Sequence, residues 1–133
     1  MKILFNEHPN KGFQRVGYCS YYGEIFYALE EVCEVTSSCG VPSRTSEFGS
    51  GYDAIVMGFG HTDCGDAGPM PTINDNNIPL FPILNKEYTG LKQKLEWIKN
   101  MKPTAALTVH HDTEEYSKIT GVPFHRIMWS ANE

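Results

Sequence analysis

Apolar residues in this chain come in short continuous runs, and each run ends in polar chemistry. Ile3-Leu4-Phe5 leads into Asn6-Glu7-His8, and Ala54-Ile55-Val56-Met57 leads through Gly58-Phe59-Gly60 into His61-Thr62-Asp63. Leu80 to Leu84 leads into Asn85-Lys86-Glu87, and Ala105 to Val109 leads into His110-His111-Asp112. Short apolar runs without alternation mark strands buried on both faces, as in a parallel sheet covered by helices. The runs predict strands over 2–6, 34–36, 53–59, 79–84, 104–109 and 124–129.

Helical periodicity fills the gaps. Ile25, Ala28, Leu29 and Val32 share one face behind Ser20, a candidate N-cap. From Tyr88 to Asn100, Leu91, Leu95 and Ile98 face inward while Lys92, Lys94 and Lys99 face outward, and Pro103 stops the helix. Asp112 and Glu115 have the spacing of a capping box that opens a short helix ending near Gly121. The segments 9–19 and 40–51 read as loops. The stretch 60–78, rich in Gly, Pro, Asn and Asp, reads as a long binding loop. These elements predict a single α/β domain over 1–133: a Rossmann-like, doubly wound, mainly parallel sheet of about six strands with helices on both faces.

In such sheets ligands sit outside the carboxyl ends of the strands. His8, His61, His110 and His111 therefore fall on the edge where function is expected. Histidine there can act as a base, an anion donor or a metal ligand. His110 and His111 are adjacent and point to opposite faces, so they do not readily share one ligand. His61 and Asp63 have the residue types of a base with its orienting carboxylate. Lys86 and Glu87 stand between a strand and a helix, where the lysine can meet a phosphate or carboxylate. Gly12, Arg15 and Gly17 form a loop able to approach an anion, without the G-x-G-x-x-G spacing of a dinucleotide site. Tyr18, Tyr21 and Tyr22 could stack on a sugar ring. The plainer readings are a helix cap for Asp112, surface ion pairing for Lys86 and Glu87, solvated loop for His61 and Asp63, and a structural role for His125.

Composition removes several classes. With 133 residues, 41% hydrophobic and 20% charged, the chain is globular. A net charge of -5 argues against nucleic acid as the main partner. No apolar stretch approaches the roughly 20 residues that span a bilayer, and no signal-peptide core is present. The expected setting is cytoplasmic. Cys19, Cys33, Cys39 and Cys64 lack zinc-motif spacing and read as buried or incidental thiols.

Four segments carry a family resemblance: Asn85-Lys86-Glu87-Tyr88, Lys94 to Lys99, Thr108-Val109-His110-His111-Asp112, and Thr120-Gly121-Val122-Pro123-Phe124. Together, over about residues 79–133, they resemble the N-terminal domain of GT-B fold glycosyltransferases, in particular family-4-like and CgeB-like proteins. The resemblance implies the acceptor side of a cleft between two Rossmann-like domains. Lys86, Glu87 and His110 or His111 would line that cleft, and the loop from Gly12 to Gly17 would approach the donor phosphates. The partner implied is a sugar or glycan acceptor. No covalently bound cofactor is expected, and a nucleotide-sugar donor only with a second domain. The chain ends about where the linker of such proteins begins, so the expectation is an inactive isolated domain that docks against a C-terminal domain or another copy. Two other readings stand beside it. One is a small flavodoxin-like ligand-binding or signalling module. The other is a metal-dependent hydrolase using His8, His61, Asp63 and His110.

Overall fold

The computed structural model describes residues 1–8 and 21–127. Gly12, Arg15 and Gly17, with Tyr18, Cys19 and Ser20, lie outside the described residues, as does the expected end of the last strand beyond Ile127. Six strands form one sheet: β1 (Lys2–Glu7), β2 (Glu34–Cys39), β3 (Ala54–Met57), β4 (Leu80–Leu84), β5 (Ala106–Thr108) and β6 (Phe124–Arg126). Their order is β2-β1-β3-β4-β5-β6, and every pairing is parallel. Three helices connect them: α1 (Tyr21–Glu30), α2 (Leu91–Met101) and α3 (Thr113–Thr120). The fold is the expected Rossmann-like α/β sheet.

Alternation along the strands divides the core in two. Leu4, Ile55, Met57, Leu80, Leu84 and Ala106 face α2 and α3, and meet Leu95, Trp97, Ile98, Met101 and Tyr116. Ile3, Phe5, Val56 and Ile83 face α1 and pack with Phe26, Ile25 and Leu29. The sheet grows from β1 in both directions, so the switch in direction falls between β1 and β3. That is where the carboxyl ends of neighbouring strands part to leave a crevice.

Pro82 stands inside a central strand, where the missing N–H removes one ladder bond. The register accommodates it: β4 pairs with β3 over Leu80, Phe81 and Pro82, and with β5 only from Ile83 onward.

Several local expectations are corrected. α2 begins at Leu91 rather than Tyr88, because Gly90 is left-handed (φ 58) and ends the turn before it. Val32 lies beyond α1 and is 80% exposed. Lys94 is buried rather than outward. β2 runs three residues further than Thr36, drawn out by β1, whose Asn6 and Glu7 pair with Ser38 and Cys39. Of the thiols read as buried or incidental, Cys39 is exposed and Cys33 and Cys64 are half-buried, Cys33 packed against the α1-side core, so the described ones are incidental rather than fully buried. His125 is exposed on edge strand β6. No described helix is long and apolar enough to cross a membrane.

Candidate functional site

The carboxyl ends of the strands carry three groups of polar contacts. The first lies at the switch point between β1 and β3. Asn6 is fully buried in β1 and its amide is used at both ends. Nδ2 donates to Ser38 Oγ at 3.1 Å, and Oδ1 accepts from His61 Nε2 at 2.7 Å. His61 sits in the 3-10 turn Phe59–Thr62 that follows β3. It is 4% exposed, stacks on Trp97 at 6.1 Å and meets the His8 ring edge-on at 5.7 Å. Burial, followed by the neighbouring His8, lowers its pKa to about 4, while the Asn6 hydrogen bond works in the opposite direction. At neutral pH this ring is an uncharged, hydrogen-bonded core group.

Glu7 is 1% exposed beside it. Its Oε1 accepts from the Gly60 N–H at 2.7 Å and the His8 N–H at 2.8 Å. Position 58 must be glycine for this to happen. A Cβ there would overlap Glu7 Oε2 and lie 2.7 Å from its Cδ. The carboxylate thus fills the backbone concavity after β3.

The second group joins the ends of β3 and β4. Thr62 Oγ1 donates to the Ile83 carbonyl at 2.9 Å and accepts from the Asn85 N–H at 2.9 Å. Beyond it, Lys86 Nζ meets Asp63 Oδ1 at 2.7 Å. The spacing of His61 and Asp63 suggests that they pair. The structure instead gives His61 to Asn6 and Asp63 to Lys86, because each partner comes from a neighbouring strand end.

The third group joins β4 to β5 and α3. Glu87 Oε1 lies 3.0 Å from His110 Nδ1, and its Oε2 accepts from the Tyr116 hydroxyl. Burial, then the Glu87 carboxylate, pushes the Tyr116 phenol pKa up, so it remains a donor. Because a carboxylate only accepts, His110 Nδ1 carries the proton in this pair. In the neutral ring, Nε2 is then left with its lone pair. That nitrogen is buried and has no hydrogen-bond partner, and the Asn85 Nδ2 amide is in the same condition.

His111, next in sequence, is exposed and lines a shallow depression with Asp112 and Glu115 at the start of α3. Asp112 occupies the N-cap position, but its side chain makes no cap hydrogen bond. Only its carbonyl serves the helix, accepting from the Tyr116 N–H at 3.0 Å. Among the described residues, no three His, Cys, Asp or Glu side chains are grouped to hold a metal ion.

The structure therefore brings Lys86 to Asp63 and Glu87 to His110, and leaves His111 apart. Asn6, Glu7, Lys94 and Tyr116 are participants that sequence spacing did not mark. Asn6 and Glu7 do carry a signal, two polar residues at the end of an apolar strand. Comparison with family models, curated proteins and solved structures gives no match to the chain.

Proposed function

We propose that the carboxyl-end edge of the sheet is the acceptor side of a glycosyltransferase-like cleft, with His110 as general base and Glu87 as its orienting carboxylate. The observation that carries the reading is the pair itself. A carboxylate on Nδ1 fixes the ring and its tautomer and leaves the Nε2 lone pair, buried and without a hydrogen-bond partner here, as the base for a sugar hydroxyl once its cover moves aside. Positioned bases of this kind contribute about 10²–10⁴-fold to a rate. Tyr116 holds the far oxygen of Glu87 and so limits its rotation. Lys86 and Asp63 extend the polar wall and offer a donor and an acceptor to further hydroxyls.

On this reading the domain supplies the acceptor wall of the cleft, and stabilising a donor diphosphate would fall to groups on the facing wall.

The flavodoxin-like reading draws on the strand order, which contains the 2-1-3-4-5 succession of that group. Glu7 counts against it, since a buried carboxylate beside the β1/β3 switch point disfavours an anionic ligand there. An NMR titration of the ¹⁵N-labelled chain with neutral mono- and disaccharides, and separately with flavin mononucleotide, separates the two. The acceptor reading expects saccharides to move Lys86, Glu87 and His110 signals. Movement of Asn6, Gly58 and Gly60 by the flavin alone would replace it with the alternative.

A further inference from the structure

Lys94 has no accessible surface although it carries an ammonium group. Burying such a charge is costly unless its protons find acceptors. Here Nζ donates to the Lys86 carbonyl at 2.7 Å, the Asn85 carbonyl at 3.1 Å and Thr89 Oγ1 at 3.5 Å. The acidic groups facing it are Asp63 and Asp66, with the Cys64 thiol between them in sequence. Burial still holds its pKa below the usual lysine value.

All three acceptors belong to one turn, residues 85–89, and that turn carries two of the strand-end pairs. Lys86 is left-handed there (φ 53), a conformation that is unfavourable for a non-glycine residue. It persists because the turn is held from both sides: Thr89 N–H donates to the Lys86 carbonyl at 3.2 Å, and Lys94 clamps that carbonyl from beneath. From the turn so fixed, Lys86 reaches Asp63, and Glu87 reaches both His110 and Tyr116.

We propose that Lys94 is a positioning residue: its ammonium clamps the turn 85–89 and thereby sets the direction in which Glu87 presents its carboxylate to His110. Lys94 touches no reacting atom and acts through the turn, by two backbone carbonyls and the Thr89 hydroxyl. The inference rests on reading Glu87 and His110 as the working pair, but its test needs no ligand. Failure of saccharide binding and failure of the clamp are thus separate results.

The readout is the tautomer of the neutral His110 ring, followed by long-range ¹H–¹⁵N NMR. In the native chain the Nδ1–H form dominates. In Lys94→Met, which keeps the length and removes the donors, the ratio of Nδ1–H to Nε2–H falls about tenfold or more, as expected when one charge-assisted hydrogen bond is lost. Leu95→Ala weakens the same helix through its core without touching the turn, and leaves the ratio unchanged. An unchanged ratio in Lys94→Met, or an equal fall in Leu95→Ala, overturns the proposal. Lys94→Gln, whose amide cannot span the same distance, shows the same fall if the methionine variant does not fold. In the native chain the clamped ammonium protons exchange slowly enough to be seen. Rapid exchange of those protons would also overturn the proposal.

Discussion

Gly58→Ala adds a single methyl group and tests the construction of the switch point. Its Cβ would lie 2.7 Å from Glu7 Cδ and overlap Oε2. The neighbours have little room to give, since Glu7 is 1% exposed and Gly58 itself is tied by its N–H to the Asn6 carbonyl at 2.8 Å. Overpacking of a buried site costs about 1–3 kcal/mol. If Glu7 moves aside, its bond to the Gly60 N–H at 2.7 Å is lost, and hydrogen bonds to a charged group contribute about 1.5–3 kcal/mol. Gly58→Ala should therefore destabilise the fold by about 2–4 kcal/mol. The assay is urea unfolding of four proteins: native, Gly58→Ala, Glu7→Ala and the double variant. Once Glu7 is truncated, the methyl group has nothing to strike, so the double variant should lose at least about 1 kcal/mol less than the two single losses together. A loss below about 0.5 kcal/mol for Gly58→Ala, or simple additivity, would refute the close approach of Glu7 to β3.

Two further perturbations address the other groups. His61 binds its proton far less readily in the fold, at about pH 4, than in the unfolded chain, near 6.5. Unfolding therefore takes up a proton between those values: the stabilisation is complete above about pH 6.5 and is lost as pH falls toward 4, about 3 kcal/mol in all. Equilibrium unfolding across that range should show the slope, and His61→Gln should flatten it. A native chain whose stability is level from pH 7 to 4.5 would contradict the buried neutral ring. Tyr116→Phe removes the hydroxyl on Glu87 while keeping the ring that packs on Phe124 at 5.5 Å. A loss of about 1.5–3 kcal/mol is expected by chemical denaturation, and no measurable loss would show that Glu87 is not held there.

The central strands β1, β3, β4 and β5 were legible because a parallel strand, buried on both faces, leaves a continuous apolar run; the edge strands β2 and β6, largely exposed, carry none. The same runs located the polar edge, since each ends where chain leaves the sheet. Partner choice along that edge was not legible. His61 and Asp63 are two residues apart, and proximity in sequence suggests a pair. Their contacts, Asn6 and Lys86, arrive from the flanking strands, and only the sheet order determines that. Lys94 was misread for a related reason. Helical periodicity places it beside the inward face, and lysine is ordinarily the residue that escapes to water. The turn carbonyls that repay its burial exist only once β4 and α2 are packed. Asp112 has the right spacing for a cap, but spacing does not fix the rotamer that a cap requires. Glu87 and His110 were each visible as strand-end residues. Their pairing depends on β4 and β5 lying side by side.

The central claim is that His110, oriented by Glu87, faces the hydroxyl of a bound saccharide. The most direct measurement is a search for intermolecular nuclear Overhauser effects between the His110 ring protons and the protons of a saccharide that binds the chain. The account predicts contacts from His110 Hε1 to the saccharide, lost in Glu87→Ala under conditions where that variant remains folded. A saccharide that binds with contacts only elsewhere on the surface, or a panel in which none binds, would contradict it.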